Sequence, residues 1–172
     1  LMPESVALAT ATSEGAPSVR MVLLKEVNEK GFVFFTNYGS RKANEIEANR
    51  RAALCFHWAS LERQVRITGS VERITEAESY AYFSTRERGS RIGAWASKQS
   101  TILNQRDELT QSINTFKKKF PDENNVPRPN YWSGWNLSPT EIEFWLDGEN
   151  RIHQRLKYIR LDAVSYTHLR AH

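Results

Sequence analysis

The chain has 172 residues, 40% hydrophobic and 11% aromatic, enough for one globular domain or a compact pair of layers, which excludes a largely disordered protein. Its 24 Lys and Arg are interleaved with 20 acidic residues to leave a net charge of +4, a pattern that suits local anion sites better than a nucleic-acid groove. Cys55 is the only cysteine, which excludes an internal disulfide and a cysteine-based metal cluster; with no apolar run of membrane-spanning length and no signal peptide expected, a cytoplasmic protein with no membrane partner is the expectation.

In chain order, Ser5 to Thr12 is small and β-branched and is followed by the turn "SEGAP", so a strand is predicted. Ser18 to Val27 and Phe32 to Asn37 are two further strands, and the short connections predict an antiparallel meander. Ser40 is placed to cap a short helix through "RKANEIEANR". Ala52 to Ala59 and Arg63 to Ile74 form another strand pair around "SLE". The texture then turns helical. Thr75 and Glu78 make a capping box opening "EAESYAYFSTR", and "SRIGAWASKQS" and "QRDELTQSINTFKKKF" follow as helical stretches. After the polar loop "DENNVPRPN", strands return as "YWSGWNLSP", "EIEFWLDG" and "RIHQRLKYIR". Strands, helices, then strands predict an α+β, mainly β, barrel completed by its last strands.

Six stretches could carry chemistry. "RMVLLK" sets Arg20 and Lys25 on opposite faces of a regular strand, so each either snorkels to solvent or meets its own anion. Arg41 and Lys42 sit against the dipole in a first helical turn, either as solvated charges or as part of an anion site with the free N–H groups there. Tyr82, Arg86 and Ser90, spaced four and four, share a face if the helix persists; they are a phosphate clamp or an amphipathic surface in which Tyr82 packs and Arg86 faces water. Gln64 at a strand start and the polar "SKQS" can meet a heterocycle's edge or simply solvent. On a strand, Arg151, His153 and Arg155 would share one face, where three basic groups repel one another without an anion. There is no Ser-His-Asp order, zinc-ligand spacing, P-loop or glycine-rich dinucleotide loop, and no metal is expected.

Taken in order, "RMVLLK", "FFTN", "SRK", "ERQV", "YFSTR", "SKQS", "EIEFW" and "RIHQR" resemble the segments of the pyridoxine/pyridoxamine 5'-phosphate oxidase family, FMN flavoproteins of the split-barrel fold. The resemblance spans roughly Val6 to Arg155. It implies an FMN-binding split β-barrel with flanking helices, and oxidation of pyridoxine or pyridoxamine 5'-phosphate to pyridoxal 5'-phosphate with O2 as acceptor, giving hydrogen peroxide. It also implies a homodimer with FMN at the subunit interface. By carry-over, Arg20, Met21, Val22, Leu23, Leu24 and Lys25 lie along the cofactor, with Arg20 at its phosphate. Arg41 and Lys42 join that phosphate site, beside Phe35 and Thr36. Gln64 and Trp145 line the isoalloxazine, Arg155 contacts the flavin, and Gln99 and Ser100 reach it across the dimer interface. Lys25, Tyr82, Arg86 and Ser90 clamp the substrate phosphate; Arg151, Ile152 and His153 cover the substrate ring, with Arg151 and His153 as the catalytic candidates.

Several features depart from the family pattern. Gln154 replaces the acid of "R-L-H-D-R", Arg91 stands where glutamine is common, and the closing "R-L-A-P" strand is replaced by "DAVSYTHLRAH". We expect residues 1–163 to form a single split-barrel domain truncated at both ends, with 164–172 an atypical tail of non-native origin. Three other readings compete: a non-catalytic FMN or pyridoxal phosphate binding protein, favoured by Gln154 and the ends; a split-barrel flavin reductase, opposed by the Tyr82–Arg86–Ser90 spacing and "RIH"; and a basic barrel binding single-stranded nucleic acid, ranked last because Phe34, Phe56 and Trp58 fall at ordinary core periods.

Overall fold

The structure, a computed structural model, describes residues 2–103, 105, 107–122 and 125–161, and the backbone of 164–171. Strands β1 (Ser5–Ala11), β2 (Pro17–Asn28) and β3 (Gly31–Asn37) form the expected antiparallel meander. Helix α1 (Arg41–Asn49) leads into the hairpin β4 (Arg51–Trp58) and β5 (Arg63–Arg73). Helices α2 (Glu76–Thr85), α3 (Arg88–Ala96) and α4 (Glu108–Lys119) precede β6 (Trp132–Leu146), β7 (Gln154–Leu161) and β8 (Val164–Ala171).

The sheet runs β3-β2-β1-β4-β5-β6-β7-β8, and an additional β3–β6 pairing closes six of these strands into a barrel, so the fold is the expected split barrel with flanking helices. Alternation drives it: along β1 the side chains of Val6, Leu8 and Thr10 are buried and those between them are half-exposed. At the barrel seam Gly31 (φ +143°) lies so close to β6 that a Cβ would stand 2.1 Å from the Leu137 carbonyl oxygen, so only glycine fits. β8 pairs with β7 from Gln154↔Ala171 to Leu161↔Val164.

Contacts divide the chain into two compact units. The first comprises Leu1–Phe34, Glu45–Glu72 and Trp135–His172, with a core that includes Leu8, Phe34, Ile46, Leu54, Ile67 and Trp135; the second comprises Phe35–Asn44 and Arg73–Gly134, with a cluster of Phe83, Ala94 and Trp132.

The structure differs from the sequence reading in three places. The two strands expected around "NLSP" are one strand, β6, which runs through Pro139; the donor missing there is followed by Thr140, whose hydroxyl donates to the Thr68 carbonyl at 3.1 Å. The helix carrying Tyr82 does not persist to Ser90: it stops at Thr85, and Arg86 is extended (φ −75°, ψ 144°) with its N–H on the Phe83 carbonyl. Ser90 lies on α3 instead, exposed. Arg151 and His153 are not on a strand, because Asn150 (φ 56°) and Arg151 (φ 64°) are left-handed and form a 3-10 turn, Glu149–Arg151, before β7 begins at Gln154. Arg151, His153 and Arg155 therefore share no strand face.

Candidate active site

In the first unit, Arg20 points inward from β2 and is held by its own chain. Nη1 donates to the Leu8 carbonyl (3.2 Å) and to Thr10 Oγ1, while Nη2 donates to Ser18 Oγ and to Glu45 Oε2 (3.2 Å). The Glu45 side chain is 5% exposed, so the arginine meets a buried carboxylate, which Thr10 and Ser18 also serve as donors. Lys25, at the other end of the motif, is exposed beside an irregularity between Leu24 and Glu26. The bulge suspends the strand's alternation there, so the period of two does not decide which way Lys25 points. Met21 is exposed, and Val22, Leu23 and Leu24 are half-buried.

An apolar cleft of about 680 Å³ brings together Leu24, Gln64, Trp145 and Arg155, with Phe56, Trp58 and Ile142 in its walls. Sequence pairing explains the grouping: Trp145 and Arg155 are directly opposed across β6 and β7. Arg155 is oriented by Glu143, a buried acid whose Oε1 accepts from Arg155 Nη1 (2.9 Å) and Arg66 Nη2 (2.7 Å). Among the described residues Arg155 Nε is buried with no hydrogen-bond partner. An apolar slot of this size with an orphaned guanidinium N–H fits a flat heterocycle that carries a hydrogen-bond acceptor. His153 stacks at a tilt on Trp145 (ring centroids 4.7 Å apart), and its Nδ1 lies 2.7 Å from Asp147 Oδ1. Arg151 and Ile152 are exposed.

In the second unit, the start of α1 gathers five candidates. No acidic residue occupies the first turn, where Arg41 and Lys42 stand. The Arg41 N–H donates to Ser100 Oγ (3.2 Å); Lys42 Nζ donates to Thr36 Oγ1 (3.2 Å) and to Gln99 Oε1 (3.3 Å). Gln99 and Ser100, expected to act across a dimer interface, thus lie against Thr36, Arg41 and Lys42 of their own chain. Ser100 has a left-handed backbone (φ 64°), as Arg151 does, and strained positions of this kind cluster at binding sites.

The same unit brings Tyr82 and Arg86 together although their helix ends between them. Phe35 stacks on Tyr82 (4.0 Å) and on Trp132 (5.2 Å), and Arg86 Cζ lies 4.5 Å from the Trp132 ring centroid. Burial lowers the Arg86 pKa, partly offset by Tyr82; burial raises the Tyr82 phenol, partly offset by Arg86. Among the described residues Arg86 Nη1 is buried without a hydrogen-bond partner, the condition of a cation set up for an anion. The sequence reading gave no role to Glu45, Glu143 or Trp132. Two acids in charged, motif-bearing stretches read as solvated, and one tryptophan among several gives no signal of its own.

Profiles of known families match most of the chain. That described as "Pyridoxamine 5'-phosphate oxidase" matches residues 2–120, and that described as "Pyridoxine 5'-phosphate oxidase C-terminal dimerisation region" matches residues 132–170. Among curated proteins, one from Pelagibacter ubique named pyridoxine/pyridoxamine 5'-phosphate oxidase is 58% identical over 158 residues, 92% of this chain and 76% of that protein. One of the same name from Psychromonas ingrahamii is 56% identical, with 92% and 72% covered. Among solved structures, PhzG from Burkholderia lata 383, in complex with tetrahydrophenazine-1-carboxylic acid, superposes with a TM-score of 0.94 at 29% identity, covering all of this chain and 84% of its own. A pyridoxamine 5'-phosphate oxidase-related, FMN binding protein from Nostoc punctiforme shares the fold, with a TM-score of 0.80 at 16% identity and 99% and 89% covered.

Proposed function

The chain belongs to the pyridoxine/pyridoxamine 5'-phosphate oxidase family, and on that premise we propose that it oxidises pyridoxine or pyridoxamine 5'-phosphate to pyridoxal 5'-phosphate, with O2 reduced to hydrogen peroxide. The observation in the structure that supports this best is Arg86, a desolvated guanidinium beside Tyr82 with one N–H group left open for an oxyanion. The matched dimerisation region supports a homodimer.

FMN, when bound, supplies the two-electron acceptor for the substrate's C4' carbon and the route to O2. This chain's residues bind and orient. Gln64, Trp145 and Arg155 line the cleft that takes the flavin ring, and Arg155 offers its unpartnered Nε–H to a ring acceptor. Arg41 and Lys42, with Phe35, Thr36, Gln99 and Ser100, hold the rest of the cofactor, and a phosphate would offset the cost of two basic residues in a first helical turn. Tyr82 and Arg86, with Ser90 and Lys25, hold the substrate phosphate; Arg151, Ile152 and His153 cover its ring. Anchoring phosphate and ring separately fixes the reacting carbon, so positioning supplies much of the rate.

The test is a visible spectrum of the purified protein before and after anaerobic addition of pyridoxine 5'-phosphate. A flavin spectrum that bleaches with substrate and returns with air is the expected result. A flavin spectrum indifferent to substrate would refute the substrate assignment, and a protein that stays colourless with added FMN would refute the cofactor.

A further inference from the structure

Arg86 sits just past the end of α2, with an extended backbone, so the helix does not fix where its side chain goes. What it meets is the face of Trp132, at 4.5 Å from Cζ to ring centroid, with Phe83 at 5.7 Å. A guanidinium laid on an indole uses its face for the cation–π contact and keeps its edge N–H groups for a planar oxyanion. Trp132 is itself immobilised. It is 5% exposed, lies nearly parallel to Phe35 (11°) and packs edge-on against Phe83 (5.0 Å, 67°). Its carbonyl accepts from Arg128 Nη1 (2.6 Å), and Arg128 in turn pairs with Glu76 at the start of α2 and covers the Tyr80 ring. Both ends of α2 are thereby tied to the residue that carries the guanidinium.

We propose that Trp132 is a positioning residue for the substrate-phosphate clamp: its indole face holds Arg86 in the orientation that presents the open N–H edge to the phosphate dianion. The inference rests on the reading of Arg86 as that clamp. Phe35 and Tyr82 belong to the same near-parallel aromatic set, with Phe35 stacked on both other rings and the Tyr82 and Trp132 centroids 6.2 Å apart.

The experiment is a double-mutant cycle of Trp132→Leu and Arg86→Ala in the FMN-loaded protein. It reads kcat and KM for pyridoxine 5'-phosphate, the inhibition constant of inorganic phosphate, and the Kd of FMN. Trp132→Leu is expected to raise KM and weaken inorganic phosphate by about tenfold to thirtyfold, the scale of a desolvated cation–π contact. It should leave kcat and FMN affinity within about threefold, and Trp132→Phe should recover most of the loss. In the Arg86→Ala background the tryptophan change should add nothing, since the two act as one unit. If Arg86→Ala leaves KM unchanged, the clamp reading falls and this inference with it. If Arg86→Ala raises KM but Trp132→Leu does not, or the two effects simply multiply, the clamp stands and the positioning role is overturned. Should the leucine variant fail to fold, Trp132→Phe carries the same cycle, with an expected rise in KM of about threefold that vanishes without Arg86.

Discussion

Replacing Arg20 by alanine tests what the arginine of the "RMVLLK" strand does for the fold. The change takes the Arg20 guanidinium away from the Glu45 carboxylate, which is 5% exposed and also accepts from the Thr10 and Ser18 hydroxyls. Breaking a buried pair from one side costs about 3–5 kcal/mol. Because the Arg20 side chain is 20% exposed and two hydroxyl bonds survive, about 2–3 kcal/mol is the expected loss here. For a chain of this size each kcal/mol moves Tm by about 2–4 °C, so the variant should melt about 4–12 °C lower. Thermal unfolding of the apoprotein, free of any contribution from FMN, is the assay. The double variant Arg20→Ala/Glu45→Gln removes the buried charge that Arg20 helps to offset and should regain at least half of the loss. An Arg20→Ala protein that melts within about 2 °C of the parent, or a double variant no better than the single, would refute this reasoning. In the first case the contacts of Arg20 with Glu45 would be idle, and its place would be explained by the cofactor phosphate alone.

Three other outcomes are expected. Gly31→Ala should cost more than about 3 kcal/mol, since a Cβ at φ +143° meets the Leu137 carbonyl; a melting temperature equal to the parent's would show that the seam can give way. Burial raises the Cys55 thiol, with Arg66 only partly opposing it, so less thiolate is present at pH 8 and iodoacetamide should alkylate the native protein several-fold more slowly than the unfolded chain; equal rates would contradict this. With the Tyr82 phenol pushed up and Arg86 still a cation at neutral pH, neither clamp residue should titrate between pH 7 and 9, so KM should stay flat there and rise below about pH 6 as the substrate phosphate takes a proton; a KM that climbs between pH 7 and 9 would contradict the assignment.

The parts of the fold that local chemistry encodes were legible in the sequence. Thr75 and Glu78 form the capping box read from their spacing, with the Glu78 N–H on Thr75 Oγ1 at 3.2 Å and the Thr75 N–H on Glu78 Oε2 at 2.8 Å. The β1–β3 meander followed from alternation and short connections. What was hidden depends on tertiary partners. No proline or glycine marks the end of α2 at Thr85, and the residue that follows is instead drawn onto Trp132. Pro139 reads as a strand break, yet the strand continues with a threonine hydroxyl serving the neighbouring carbonyl. Asn150 and Arg151 turn left-handed, which only an asparagine would suggest, and the basic triplet is dispersed as a result. In the site, the clustering of basic residues was visible as motif spacing, whereas their counter-ions Glu45 and Glu143 were not, because burial of an acid is a property of the folded sheet and not of its local sequence.

The seam between β3 and β6 also sets a schedule for the chain as it is made. Lys30, at the entrance to β3, takes its hydrogen bond from Asn136, 106 residues later. At a synthesis rate of about 5–20 residues per second, the early strands wait about 5–20 s at the ribosome before their closing partner exists. For that interval β3 and β5 are open edges, able to pair with any extended segment nearby. Production of this protein is thus expected to depend on what shields the nascent meander, and slowed translation between residues 37 and 132 should lower the soluble yield even though the finished barrel is unchanged.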